Sequence, residues 1–155
     1  ATGLNVRSLP GSGASGGLGA GLLAFTNATL HPRFDIIMNF INIEEEISNA
    51  DIVFTAEGSL DFQTPNGKIP AEVARIAKKN KIPVVAITGT IGKGAKLNYE
   101  AGIDAYSSII KRPVSLELAM KKAPKWIEES TESALRKIAI GWGMANKNLV
   151  KKVSI

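Results

Sequence analysis

The run Ile82-Pro83-Val84-Val85-Ala86-Ile87 constrains the fold more than any other stretch of this chain. It is continuously apolar, β-branched and too short for a buried helix, which is the pattern of a parallel strand covered on both faces. Ile52-Val53-Phe54 is a shorter apolar run of the same kind, and Ala105 to Ile110 reads as a third strand. A stretch with helical periodicity follows each one. Ala71, Val73, Ala74, Ile76 and Ala77 recur at helix spacing ahead of Lys78 and Lys79, Asn98 to Gly102 reads as a short helix, and Lys125 to Ile140 as a long one. Strands alternating with helices need right-handed crossovers, so the expected fold is α/β, a parallel sheet with helices on both faces.

Ligand chemistry in such a sheet gathers at the carboxyl ends of the strands. Two polar stretches are expected there. After Phe54 the sequence leaves the hydrophobic pattern for Glu57, Gly58, Ser59, Asp61, Gln63, Thr64, Asn66, Gly67 and Lys68, and after Ile87 for Thr88, Gly89, Thr90, Gly92, Lys93 and Gly94. A plain surface connection needs neither two carboxylates nor a lysine so close together. Asp61 could equally cap a turn and Lys68 be a solvated cation at a helix start. A third candidate, Pro10 to Phe25, carries a run of glycines ahead of Leu22, Leu23 and Phe25. Backbone N–H groups turned into one concavity, with a helix opening behind them, suit an anion, and close helix packing would use the same small residues.

The remaining segments read as scaffold. Residues 26 to 35 form a loop holding His31; Ile36, Ile37, Phe40 and Ile41 suggest a helical face; and Ile43 to Asn49 a solvated helix. Ser115 is placed to cap a helix from Leu116, Pro124 to break it or start the next, and Trp126 and Trp142 to pack. Beyond Gly141 the pattern fades into a lysine-bearing tail.

Composition closes several alternatives. With 155 residues and 45% apolar content, the chain can bury a core. It has no cysteine and one histidine, so thiolate and His-rich metal sites are excluded, and a cytoplasmic setting is expected. No apolar span is long enough to cross a membrane. The formal charge of +5 is spread over helices and the last residues rather than gathered into a stripe, which argues against nucleic acid and for small anions.

The pieces PGSGASGGLGAGLLAF, ADIVFTAEGSLDFQTPNGKIPAEVA, IPVVAITGTIG and AGIDAYSSI, in this order and spacing, resemble the bacterial glycerate kinase family that includes the glyoxylate- and glucarate-pathway enzymes. The family pattern around the second piece is close to Gly-Glu-Gly, Leu-Asp, Gln-Thr, Gly-Lys, and this chain has Ala56 at the first of those glycines. Members are more than twice as long and carry near their amino terminus an Asp-Ser-Phe-Lys-Gly stretch that is not found here, so the resemblance implies a carboxyl-terminal part whose partner is the remaining amino-terminal portion. It also implies a flavodoxin-like domain over 45–155, with 1–44 the end of a second, inserted α/β domain and the crossing between them. The implied activity is ATP- and Mg²⁺-dependent phosphorylation of D-glycerate, giving the 2-phosphate. Asp61 is then the base or the metal-side carboxylate and Glu57 the second candidate, with Lys68 neutralising phosphate or substrate carboxylate. Ser59, Gln63, Thr64 and Gly67 would bind substrate; Thr88, Gly89 and Thr90, with Gly13, Ser15, Gly16 and Gly17, would bind nucleotide or phosphate. A non-catalytic α/β anion-binding module is the competing expectation.

Overall fold

Three runs of the expected strand type pair into one parallel sheet in the order β1 (Val53–Leu60), β2 (Val84–Ile91), β3 (Ala105–Ser108). The register sets Val53 beside Val84, and Ala86 between Thr55 and Tyr106. The computed structural model of the chain describes residues 3–26, 28–31 and 40–153. The helical face expected around Ile36 and Ile37 lies outside them. Contacts divide the chain into two units, Ala1–Glu45 and Glu46–Ile155.

In the second unit the sheet advances in one direction, so right-handed crossovers place α3 (Ile69–Lys79) and α4 (Leu97–Glu100) on the same face. Val84, Ala86 and Thr88 point to that side by strand alternation, and all three are buried. Opposite them, α3 buries Ala71, Val73, Ala74, Ile76 and Ala77, the apolar positions of its helical period. Removing Val73 and Ile76 from water contributes roughly 1.5–3 kcal/mol each. Pro70 in the first turn, Glu72 beside it, and Lys78 and Lys79 in the last turn match the helix dipole. Asp104 ties the far end of this layer together. Its Oδ2 accepts from the Val84 N–H at 2.8 Å and its Oδ1 meets Lys78 Nζ at 2.5 Å. Burial pushes the Asp104 carboxyl up, and the Lys78 and Val84 bonds outweigh it, so the net shift is downward.

The other face is covered by α5 (Leu116–Val153). Ser115 caps it as expected, its Oγ accepting from Leu118 N–H at 3.3 Å. The expected break at Pro124 does not occur, and the helix also continues through the segment read as a fading tail. An interior proline costs about 3 kcal/mol, and here Ala119 before it and Ser130 after it are both buried, holding the helix on either side. Trp142 is a second correction, being 72% exposed rather than packed. The reason is geometric. A helix of 38 residues is about 57 Å long, whereas the eight-residue strands reach only about 26 Å, so the distal turns run past the sheet.

The first unit holds α1 (Ala14–Phe25), whose opening is not helical: Ser15, Gly16 and Gly17 have φ of 50°, 67° and 98°. Ser15 pays for that left-handed geometry with roughly 1–2 kcal/mol. The turn before it folds against the helix, with Ala14 N–H on Gly11 O and Ala20 N–H on Ser12 O, both at 2.9 Å. Only glycine fits at position 19, because a Cβ there would lie 2.2 Å from Gly11 O. The short α2 (Ile43–Ser48) follows.

Candidate functional site at the carboxyl ends of the strands

The ladder between β1 and β2 continues past the apolar runs, so Glu57, Gly58 and Ser59, and Thr88, Gly89 and Thr90, lie on strands rather than in the turns where the hydrophobic pattern ends. Backbone pairing is indifferent to side-chain polarity, and the parallel register simply extends. It sets Glu57 beside Thr88 and Thr88 beside Ser108, with Ser59 beside Thr90 two residues further. The two polar stretches predicted from the sequence are therefore neighbours. Their hydroxyls bind backbone: Ser108 Oγ donates to Gly89 O at 2.7 Å, Thr88 Oγ1 to Thr90 O at 3.0 Å and Thr90 Oγ1 to Gly58 O at 3.4 Å. Gly89 is required by this closeness, since a Cβ would sit 2.5 Å from Gly58 O. Glu57 Oε1 accepts only from the neighbouring Gly58 N–H at 3.2 Å among the described residues.

The chain leaves β1 at the fully buried Leu60, and Asp61 is the first residue beyond it. Asp61 closes an Asx turn: its Oδ1 accepts from Gln63 N–H at 2.9 Å and from Thr64 Oγ1 at 3.4 Å. Thr64 is fully buried, and its Oγ1 in turn accepts the Asp61 N–H at 3.1 Å. Lys68, at the start of α3, brings Nζ to 3.5 Å from Asp61 Oδ1 and 3.5 Å from Ser59 O. The Gln63 amide is the main cause that holds the Asp61 carboxyl below its ordinary value; burial opposes it, and Lys68 and Thr64 add to the lowering. Asp61 is thus an ionised carboxylate at neutral pH, paired with a half-buried lysine on the carboxyl edge.

Of the remaining predicted residues, Gln63 and Gly67 are exposed, Gly67 at φ 90° in the turn before Lys68. Gly13, Ser15, Gly16 and Gly17 belong to the first unit, Gly13 as the residue before α1 and the other three as its left-handed opening. Two neighbours were not singled out from the sequence. Ser108 could have been found from strand register, but Asn98, 37 residues from Asp61 and hydrogen-bonded to its carbonyl, carries no signal in spacing or composition. Beneath α5 a largely apolar cavity of about 430 Å³ opens beside Glu57, Thr88, Gly89 and Thr90, walled by Ala56, Ile87, Ile109, Ala119, Met120 and Ile127. Among the described residues no cluster of three or more His, Cys, Asp or Glu could hold a metal. Mg²⁺ is commonly held by one or two carboxylates together with substrate phosphates and water. Asp61 Oδ2, which makes none of the bonds above, is the donor on offer.

These features define a class: an α/β protein with an open parallel sheet, presenting a carboxylate, a lysine and hydroxyls where its strands end. Sequence comparison makes the assignment specific. Residues 1–139 match the glycerate kinase family, and the chain belongs to it. It is 44% identical over 138 residues to a glycerate kinase of Halalkalibacterium halodurans, covering 89% of this chain and 35% of that one. It is 36% identical to the glycerate 2-kinase of Escherichia coli K12, covering 89% and 36%. A crystal structure from Salmonella typhimurium LT2, described as a candidate glycerate kinase 2, superposes with a TM-score of 0.67 at 34% identity over 90% of this chain and 36% of that one. The chain spans about a third of the length of these relatives. Among the described residues no helix is long and apolar enough to cross a membrane.

Proposed function

We propose that this chain carries part of the active site of an ATP-dependent kinase that phosphorylates D-glycerate at its 2-hydroxyl. The observation that carries the reading is the Asp61–Lys68 pair, 3.5 Å apart where β1 ends, in a chain of the glycerate kinase family. The name of the Escherichia coli relative, glycerate 2-kinase, supports the 2-phosphate.

Phosphoryl transfer asks mainly for positioning and for cations facing the transferred group. Lys68 supplies one such cation, held in place by Asp61 and the Ser59 carbonyl. A general base for an alcohol works best with a pKa near the operating pH. Asp61 is held well away from that, which favours the metal-side role over the base. Mg²⁺, when bound, would neutralise phosphate charge, and Asp61 Oδ2 is the atom of this chain that would face it. Glu57 is the second candidate base, its Oε2 making no bond among the described residues. Ser59, Gln63, Thr64 and Gly67 would frame the glycerate, with Thr64 acting through Asp61. Thr88, Gly89 and Thr90 would face phosphate, and the apolar cavity beside them suits a nucleobase rather than a small hydroxy acid. The glycine-rich opening of α1, with Gly13, Ser15, Gly16 and Gly17, would offer backbone N–H groups to an anion.

The division of the chain after Glu45 supports reading 45–155 as the flavodoxin-like domain and 1–44 as the end of an inserted one. The amino-terminal portion present in the relatives would complete the site, and the cytoplasm is the setting expected for such an enzyme. The test is ADP release from ATP and Mg²⁺ with D-glycerate, in a protein extended to the relatives' length, with the product identified by ³¹P NMR. Turnover to 2-phosphoglycerate is expected. No turnover with D-glycerate or other hydroxy acids would sink the kinase reading and leave the anion-binding module.

A further inference from the structure

Asn98 is fully buried, and its side chain is half satisfied. Nδ2 donates to two backbone carbonyls, Asp61 O at 3.0 Å and Ala95 O at 2.9 Å, while Oδ1 has no partner among the described residues. The orientation is dictated by the surroundings, since a flipped amide would turn its oxygen onto two carbonyl oxygens and lose both bonds. A leucine of similar size would fill the space without stranding a polar atom. Core packing therefore does not account for the residue, and its two donors do.

One of those donors falls on the carbonyl of Asp61. The Asp61 main chain is held on both sides, its N–H by Thr64 Oγ1 at 3.1 Å and its C=O by Thr64 N–H at 3.2 Å within the turn and by Asn98 Nδ2 at 3.0 Å from outside it. The next amide, Phe62 N–H, is bound to Lys93 O at 3.0 Å, which fixes the same peptide plane from the β2 side. With backbone and Asx turn both fixed, the direction of the carboxylate is set before any substrate arrives.

We propose that Asn98 is a positioning residue, clamping the Asp61 carbonyl to α4 so that the Asp61 carboxylate and its Lys68 partner are aimed at the reacting groups. The proposal rests on the kinase reading for its catalytic consequence. The clamp itself does not depend on it.

The experiment uses the protein extended to the relatives' length and two variants. Asn98→Asp keeps the shape and removes the donor pair, and Asn98→Ser is a smaller polar change should the first fail to fold. Turnover with D-glycerate is expected to fall roughly tenfold or more, with the KM for ATP within about twofold of the parent. Hydrogen exchange is expected to accelerate, roughly tenfold, only in the amides from Asp61 to Lys68, with α3 and β2 unchanged. Exchange that accelerates evenly through the sheet and helices would make Asn98 a core residue and overturn the proposal, as would a loosened loop with unchanged turnover. A parent protein inactive on D-glycerate would remove the kinase reading alone. The localised exchange result would still decide the clamp.

Discussion

Replacing Thr64 with valine isolates the hydroxyl that holds the Asp61 turn. Valine occupies nearly the volume of threonine, so no cavity opens at this fully buried position. What disappears is the acceptor for Asp61 N–H at 3.1 Å, together with the weaker 3.4 Å contact to Asp61 Oδ1. Leaving a partly buried amide unpaired costs about 1–3 kcal/mol, and the long second contact adds little, so about 2 kcal/mol is expected. For a chain of this length that lowers the melting temperature by about 6 °C. Thr64→Ser keeps the hydroxyl and deletes one buried methyl, for about 1 kcal/mol. Calorimetric unfolding of the three proteins side by side should rank parent, serine, valine in falling stability. If serine proves as costly as valine, or worse, then methyl packing rather than the hydroxyl holds the turn, and the reasoning fails.

Gly89→Ala should destabilise by about 1–3 kcal/mol, because the new Cβ would lie 2.5 Å from the Gly58 carbonyl and force β1 and β2 apart. Gly58→Ala, with nothing among the described residues within 4 Å of its Cβ, should stay within about 0.5 kcal/mol; chemical denaturation separates the two. Asp104→Asn tests the far ion pair through pH. The folded-state pKa of Asp104 is lowered, so its stabilisation is present above the ordinary carboxylate value and is lost as pH falls through the lowered one. The gap between parent and variant in urea midpoint should accordingly be open at neutral pH and close at strongly acidic pH. It should amount to roughly 1 kcal/mol or less, since the pair is 46% and 40% exposed and therefore screened. A gap that persists in acid would assign the effect to packing.

The sheet was legible because Ile82 to Ile87 and Ile52 to Phe54 are apolar and β-branched, and α3 because its buried positions repeat at helical spacing. Strand ends were not. Hydrophobic pattern reports apolar burial, whereas Glu57 to Leu60 and Thr88 to Ile91 include polar residues and glycines that stay in the sheet through backbone pairing. Pro124 misled for a related reason, since the local penalty was legible and the packing of the helix on either side, where Ala119 and Ser130 are buried, was not. At the candidate site, residue types and loop spacing pointed to Asp61 and Lys68, which do meet. The Asx turn that sets the ionisation of Asp61, and the Asn98 clamp, depend on orientations that only a folded backbone supplies.

The central claim is that the Asp61–Lys68 edge, rather than charge elsewhere on the sheet, serves phosphoryl transfer. The direct measurement is turnover with D-glycerate, in the protein extended to the relatives' length, for Asp61→Asn beside Asp104→Asn. Both changes remove a carboxylate with a lowered pKa that is paired to a lysine, at opposite ends of the strands. Asp61→Asn should lose roughly a hundredfold or more in kcat, and Asp104→Asn should remain within about twofold. Equal turnover in the two variants would contradict the assignment of the site.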